Sequence, residues 1–506
     1  MLTGPELIIG LVGAVGTDLD LVTGFLTDAL AAVDYQSKPL IRLATLLRDL
    51  PEYGSLPDPT GPLDIYIDKL MTAGDEFRER TLRNDAMAIL GIGEIIQERK
   101  EASVPRGGVI QRRAYILRSL KHPDEAETLR EVYGTSFFLI AAYAPHTARK
   151  INLARGIAQS RNEYPVERHY STAEALINRD QEELGMPHGQ NLRDTFHRAD
   201  AFVDTTDPAT LRESITRVVE LLFGNTFHTP TKGEYAMFHA QAAALRSAEL
   251  GRQVGASIAR GDGDIVAVGT NEVPMAGGGL YWCDARPDQR EFVIGYESND
   301  LHKRNLFTDT VKHLQEAGWL VPEKATADVR MLAAEALDGD KAVLPKSSQI
   351  RSLIEFGRAV HAEMAAIVEA ARRGVSVSEC TMFVTTFPCH LCARHIVASG
   401  IVRVRYIEPY AKSLAAELYP DSISVESSEA NSHQIVFEPF VGLAPRQYMH
   451  LFSARNRKSA SGQVQRFDPS GAIPRSSSAE RVYIESEDEM LATLTKAMRI
   501  QGLLFS

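Results

Sequence analysis

Apolar runs and their interruptions divide this 506-residue chain into alternating strands and helices. Leu7-Ile-Ile-Gly-Leu-Val12 is apolar throughout, the pattern of a strand buried on both faces, and a helix is expected beyond the loop that follows it. Ala114–Arg118 reads as a strand, and His122–Tyr133 as a helix with Pro123 at its start and Gly134 at its end. Ser136–Tyr143 reads as the next strand, so the three form a βαβ unit feeding a parallel sheet. Thr195–Val203 and Leu211–Leu222 are expected as a last strand and closing helix, with a boundary near Gly224–Gly233.

Beyond that boundary the pattern changes. Ala256–Arg260 and Ile265–Gly269 are short strand-like runs joined by Gly-Asp-Gly-Asp, which predicts a hairpin. An apolar stretch at helical spacing (Met364, Ile367, Val368, Ala371) is stopped by Gly374. Met382–Thr386 is a strand, a helix from Pro388 is stopped by Gly400, and Val402–Ile407 is another strand.

Each of these two helices opens on residues that can hold a metal. His361-Ala-Glu363 begins the first and Pro388-Cys389-His390-Leu391-Cys392 the second. A lone C-x-x-C serves equally as a redox pair or as half of a structural zinc site. With His361 it makes a three-ligand zinc site whose fourth tetrahedral position stays open, as in catalytic sites. Glu363 stands where it can move protons without binding the metal. Helix N-termini favour thiolate over thiol at Cys389 and Cys392. H-x-E…P-C-x-x-C is the zinc nucleobase deaminase signature, and residues from about 230 to 415 resemble the cytidine/deoxycytidylate deaminase family. The resemblance implies water attack at C4 of cytosine with Glu363 as proton carrier. It also lays Asn271 over the sugar and base and sets the Ala362 N–H on the base carbonyl. Asn271 has a second reading, as the turn after its strand. Tyr410 and Lys412 are candidates to stack on, or neutralise, a phosphorylated substrate.

Charge narrows the substrate. There are 55 Lys+Arg against 66 Asp+Glu, a net charge of −11. Enzymes of long nucleic acids usually carry a basic groove, so a free nucleotide is favoured over a polynucleotide. No run of 18 uncharged apolar residues predicts a membrane span. The N-terminal apolar stretch has no Lys before Lys38 and carries Asp18 and Asp20, so no signal peptide is expected. Four cysteines, with Cys283 and Cys380 lacking an evident partner, fit a reducing cytoplasm.

The first strand leads into Gly13-Ala-Val-Gly16-Thr17-Asp-Leu-Asp20. A working phosphate loop reads G-x-x-x-x-G-K-[ST]. Asp18, Leu19 and Asp20 stand here for its second Gly, Lys and Ser/Thr, so repulsion of polyphosphate and no ATP hydrolysis are expected.

A degenerate P-loop nucleotide-kinase-like parallel sheet followed by a cytidine deaminase-like α/β/α domain resembles the bacterial anti-phage dCTP deaminases. Arg118–Asp124, Gly278–Trp282, Thr386–His390 and Tyr406–Lys412 carry that resemblance. It implies conversion of dCTP, and also dCMP, to the uracil nucleotide, draining the dCTP pool during phage replication. A homo-oligomer, and restraint by an RNA or a nucleotide, are the partners it brings into view. Nucleic-acid cytosine deaminase and metabolic dCMP deaminase are the alternatives. The expected domains are 1–225, 233–450 with an insertion at about 281–354, and a C-terminal extension 451–506. The insertion is a substrate lid, a subunit contact or ordinary surface. The Ser-, Arg- and Gly-rich stretch 453–481 is a linker or a phosphate or RNA contact.

Overall fold

Leu7–Gly13 (β1), buried at every position, lies inside a six-stranded sheet. The computed structural model describes residues 4–37, 40–105, 107–181, 191–339, 342–345, 348–410, 413–425, 433–453, 457–475 and 480–503. It divides into two compact units, Met1–Tyr235 with Pro439–Ser506, and Ala236–Glu438.

In the first unit, β2 (Leu40–Arg42), β3 (Ala114–Arg118), β4 (Phe137–Tyr143) and β5 (Ala201–Asp204) run parallel with β1 in the order β5-β4-β1-β3-β2. A short strand, Gly442–Leu443, adds antiparallel to β5. Parallel sheets need covered faces. Helices Leu19–Ala31 and Pro208–Leu222 bury Val22, Leu26, Ile215 and Val219 in one core with Ile9 and Ile140. Local chemistry starts these helices. Asp18 caps the first through the N–H of Leu21, and Asp207 caps the second, with Pro208 at its first position. Pro123–Tyr133 opens on a reciprocal His122/Glu125 capping box.

Two expectations change here. The strand expected at Thr195–Val203 is a short helix, Leu192–Phe196, followed by β5. Asn191 caps that helix, its side chain accepting from the Asp194 N–H at 3.2 Å, and only Ala201–Asp204 pairs with β4. The second difference is the return of the chain to the first unit at Pro439, where a separate extension from 451 was expected. Helix Glu480–Ile500 packs on helices Leu63–Thr81, Ala86–Glu101 and Pro123–Tyr133 and buries Tyr483, Leu494 and Met498. Within the stretch read as a linker, the Arg475 N–H donates to Leu222 O at 2.7 Å.

The second unit is built on β6 (Gly255–Ala259), β7 (Ile265–Thr270), β8 (Thr381–Thr386), β9 (Arg403–Glu408), β10 (Ile423–Ser424) and β11 (Ile435–Pro439), ordered β10-β11-β9-β8-β6-β7. The expected hairpin is β6–β7, antiparallel, and β8 and β9 are parallel. Helices Ala362–Arg372 and His390–Ala398 lay Ala362, Ala366, Ala370, Ala393 and Ile396 on this sheet, against Ile258, Met382, Val384 and Val404. The insertion includes two mutually packed helices, Ser298–Glu316 and Val329–Leu337. Among the described residues, no helix is long and apolar enough to cross a membrane.

Candidate active site

His361 and Cys389 are the N-cap residues of helices Ala362–Arg372 and His390–Ala398, so each ligand sits where a helix leaves its backbone N–H groups unpaired. Cys392 is one turn into the second helix. The fold brings the three together. His361 Nδ1 lies 3.3 Å from Cys389 Sγ and 3.4 Å from Cys392 Sγ, and the three donor atoms fall within 4.8 Å of one another. Tetrahedral zinc with Zn–N and Zn–S bonds of about 2.0 and 2.3 Å needs a nitrogen–sulfur separation of roughly 3.5 Å. The donor set fits zinc.

Electrostatics prepare the same ligands. The hydrogen bond from Cys392 pulls the Cys389 thiol down to about 4, helped by His361, while Cys392 itself is pushed up by its pairing with Cys389. The Cys389 thiolate in turn holds the His361 imidazole up at about 9. Metal binding therefore displaces protons from this group.

Glu363 is 4% exposed, on the first turn beyond His361. Burial, with the negative charge of Cys389, pushes its carboxyl up to about 7. A carboxyl poised there can both take and give a proton near neutral pH.

These groups face a cavity of about 290 Å³, at the lower end of the range of about 300–1,000 Å³ typical of small-molecule sites. Asn271, Ala362 and Tyr410, singled out from the sequence, line it, and Lys412 lies outside the described residues. Asn271 has backbone partners of its own. Its Oδ1 accepts from the Val254 N–H and its Nδ2 donates to Arg252 O, both at 2.7 Å, so its donor and acceptor hold the chain entering β6.

Several wall residues were not singled out as substrate contacts from the sequence. Phe387 adds an aromatic ring, itself packed edge-on against Tyr406. Glu249 and Arg252 come from the segment before β6, and Glu291, Glu297 and Asn299 from the insertion. Part of the insertion is therefore cavity wall. A charged residue beside Val254-Gly-Ala was the faint mark of the Glu249–Arg252 segment; the insertion residues left none.

Gly13, Gly16 and Thr17 line a different cleft, of about 680 Å³, in the first unit. Gly16 has φ +88° and a Cβ there would meet Arg149 O at 2.4 Å, so glycine is required. Asp18 and Asp20, read from the sequence as repelling polyphosphate, both have partners. Asp18 is occupied as a helix cap, and Asp20 pairs with Arg42 and Arg118. A buried carboxylate from elsewhere, Asp180, accepts from the Val15 N–H at 2.6 Å and pairs with Lys121 Nζ at 2.6 Å.

Residues 230–408 match the family described as the cytidine and deoxycytidylate deaminase zinc-binding region. The deoxycytidylate deaminase of Enterobacteria phage T4 is 36% identical over 102 residues, 19% of this chain and 53% of that protein. ComE operon protein 2 of Bacillus subtilis (strain 168) is 36% identical over 74 residues, 14% of this chain and 39% of that protein. The chain thus spans about half the length, or less, of these curated relatives. A crystal structure of dCMP deaminase from cyanophage S-TIM5, in complex with dCMP and dUMP, is 17% identical with a TM-score of 0.23, covering 42% of this chain and 100% of that one.

Proposed function

With residues 230–408 as a cytidine/deoxycytidylate deaminase region whose His361, Cys389 and Cys392 fit zinc as premise, we propose that the protein deaminates free deoxycytidine nucleotides, dCTP and also dCMP. The observation that carries this is the buried Glu363 carboxyl beside the three-ligand group, inside a cavity sized for one small molecule. Zinc held there supplies acidity, lowering the pKa of a water from about 15.7 to about 7. Glu363 accepts the proton of the attacking water and delivers it to N3 of the cytosine ring. The water oxygen bonds to C4, the C4–N4 bond breaks, and Glu363 passes the second proton to the departing amine. Ammonia and the uracil nucleotide result. Ala362, on the first turn of its helix, offers its N–H to the base carbonyl, and Tyr410 and Phe387 offer ring faces to the pyrimidine.

Depletion of dCTP during phage replication is the biological role this reading assigns, in the cytoplasm and in a homo-oligomeric enzyme open to restraint by RNA or nucleotide. The first unit is read as a nucleotide-kinase-like domain that hydrolyses no ATP, supported by its parallel sheet, the β1–loop–helix at Gly13–Asp20, and the seating of Asp180 on that loop.

Purified protein offered dCTP, dCMP, deoxycytidine and cytosine-containing single-stranded DNA, with products read by mass spectrometry, tests the function. Uracil nucleotide should form from dCTP and dCMP, and Glu363→Gln should lower turnover by about 10²–10⁴-fold. Product from DNA alone, or from none of the four with zinc bound, would overturn it.

A further inference from the structure

The segment from Ser247 to Val254 enters the cavity on a backbone pinned from several sides. Ser247 Oγ donates to Asn271 O at 2.8 Å and accepts from the Glu249 N–H at 3.2 Å. The Ala248 N–H donates to Glu272 at 3.0 Å, Gln253 Nε2 to Ser247 O at 2.7 Å, and the Asn271 amide holds Arg252 and Val254. Two charged side chains are therefore presented to the cavity from a fixed frame, Glu249 and Arg252.

They differ in what they lack. Arg252 is half-exposed, paired with Glu408 at 2.8 Å and set over the Tyr410 ring at 5.9 Å, as suits a cation at a cavity mouth. Glu249 faces inward, and its Oε2 is buried without a hydrogen-bond partner among the described residues. A carboxylate can only accept, and a buried acceptor left unfilled is costly. Burial, then the charges of Glu291 and Glu272, push its carboxyl up, against a backbone hydrogen bond from Leu250. It lines the same cavity as His361 and Glu363. A donor entering the cavity can complete it.

A cytosine nucleotide bound with its base at Glu363 and its phosphate toward Arg252 leaves the sugar between them. Resting on the deaminase reading of this cavity, we propose that Glu249 accepts a hydrogen bond from the sugar 3′-hydroxyl and so selects free nucleotides. The same contact rejects cytosines within a polynucleotide. There the 3′-oxygen is esterified, offers no proton, and carries an anionic phosphodiester to the Glu249 carboxylate. Like charges in a desolvated site repel strongly. Glu249 is a specificity-determining residue in this account, whereas Glu363 handles the protons.

Binding measured by calorimetry on zinc-loaded Glu363→Gln protein tests this without needing turnover. The probes are dCTP and its 2′,3′-dideoxy analogue, each with and without Glu249→Ala added. With Glu249 present, dCTP should bind about ten- to a hundredfold more tightly than the dideoxy analogue. With Glu249→Ala the two should bind alike, and zinc content and thermal unfolding should match the parent. Equal binding of both probes by the parent, discrimination that survives Glu249→Ala, or no binding of dCTP at all would overturn the assignment. Intact discrimination in protein that shows no turnover before the Glu363 change would sink the deaminase reading alone and leave the sugar contact standing.

Discussion

His361, Cys389 and Cys392 divide the work at the residue scale, and their losses should be separable from that of Glu363. His361→Ala or Cys389→Ala removes one of three donors and is expected to release zinc, read as metal content near zero by elemental analysis. Glu363→Gln should keep zinc at one per chain, because its carboxylate is not one of the donors within 4.8 Å of one another. These four residues were legible in the sequence because His361 and Glu363, like Cys389 and Cys392, are near neighbours in the chain. The start of a helix fixes their relative geometry wherever it occurs. Asn271 was legible only as a position. Whether its amide meets a sugar or the backbone of Arg252 and Val254 depends on a segment almost twenty residues away.

At the scale of elements, the contact that sets the zinc-ligand helix is a close approach to β7. A Cβ added at Gly269 would lie 2.1 Å from Ala362 O and 2.4 Å from Ala366 N, both backbone atoms of helix Ala362–Arg372. Gly269→Ala must push the start of that helix off the sheet and carry His361 with it. An overpacking cost of about 1–3 kcal/mol is expected, seen as a lower melting temperature together with weaker zinc retention against a chelator. Gly261→Ala, in the β6–β7 turn with nothing within 4 Å of its Cβ, is the control and should change neither. Period-2 and helical patterns revealed β6, β7, β8, β9 and both zinc-site helices almost to their ends. They failed at Thr195–Val203, where Asn191 starts a short helix ahead of β5. A side-chain cap outweighed the apolar run.

On the scale of the whole molecule, Arg99 joins both ends of the chain within the first unit. Its guanidinium lies 2.6 Å from Glu6 and 2.5 Å from Glu487, and all three groups are buried. Glu6 precedes β1 and Glu487 lies in helix Glu480–Ile500, so the ion cluster fastens the last helix beside the first strand. Arg99→Met would leave two buried carboxylates facing each other. Removing one partner of a buried pair costs roughly 3–5 kcal/mol, and denaturant unfolding should show a loss of that size in the transition of the first unit. Sequence by itself pointed to the two halves of the His361/Cys389/Cys392 group, to Glu363 beside the first, and to most of the strand–helix alternation, because each is set by neighbours within a turn or two of chain. Tertiary structure alone decided that residues 439–506 return to the first unit, and that Glu249, Arg252, Glu291 and Glu297 wall the cavity. Those contacts join residues tens to hundreds of positions apart, whose local patterns match any polar surface segment; only burial against a distant partner gives them a role.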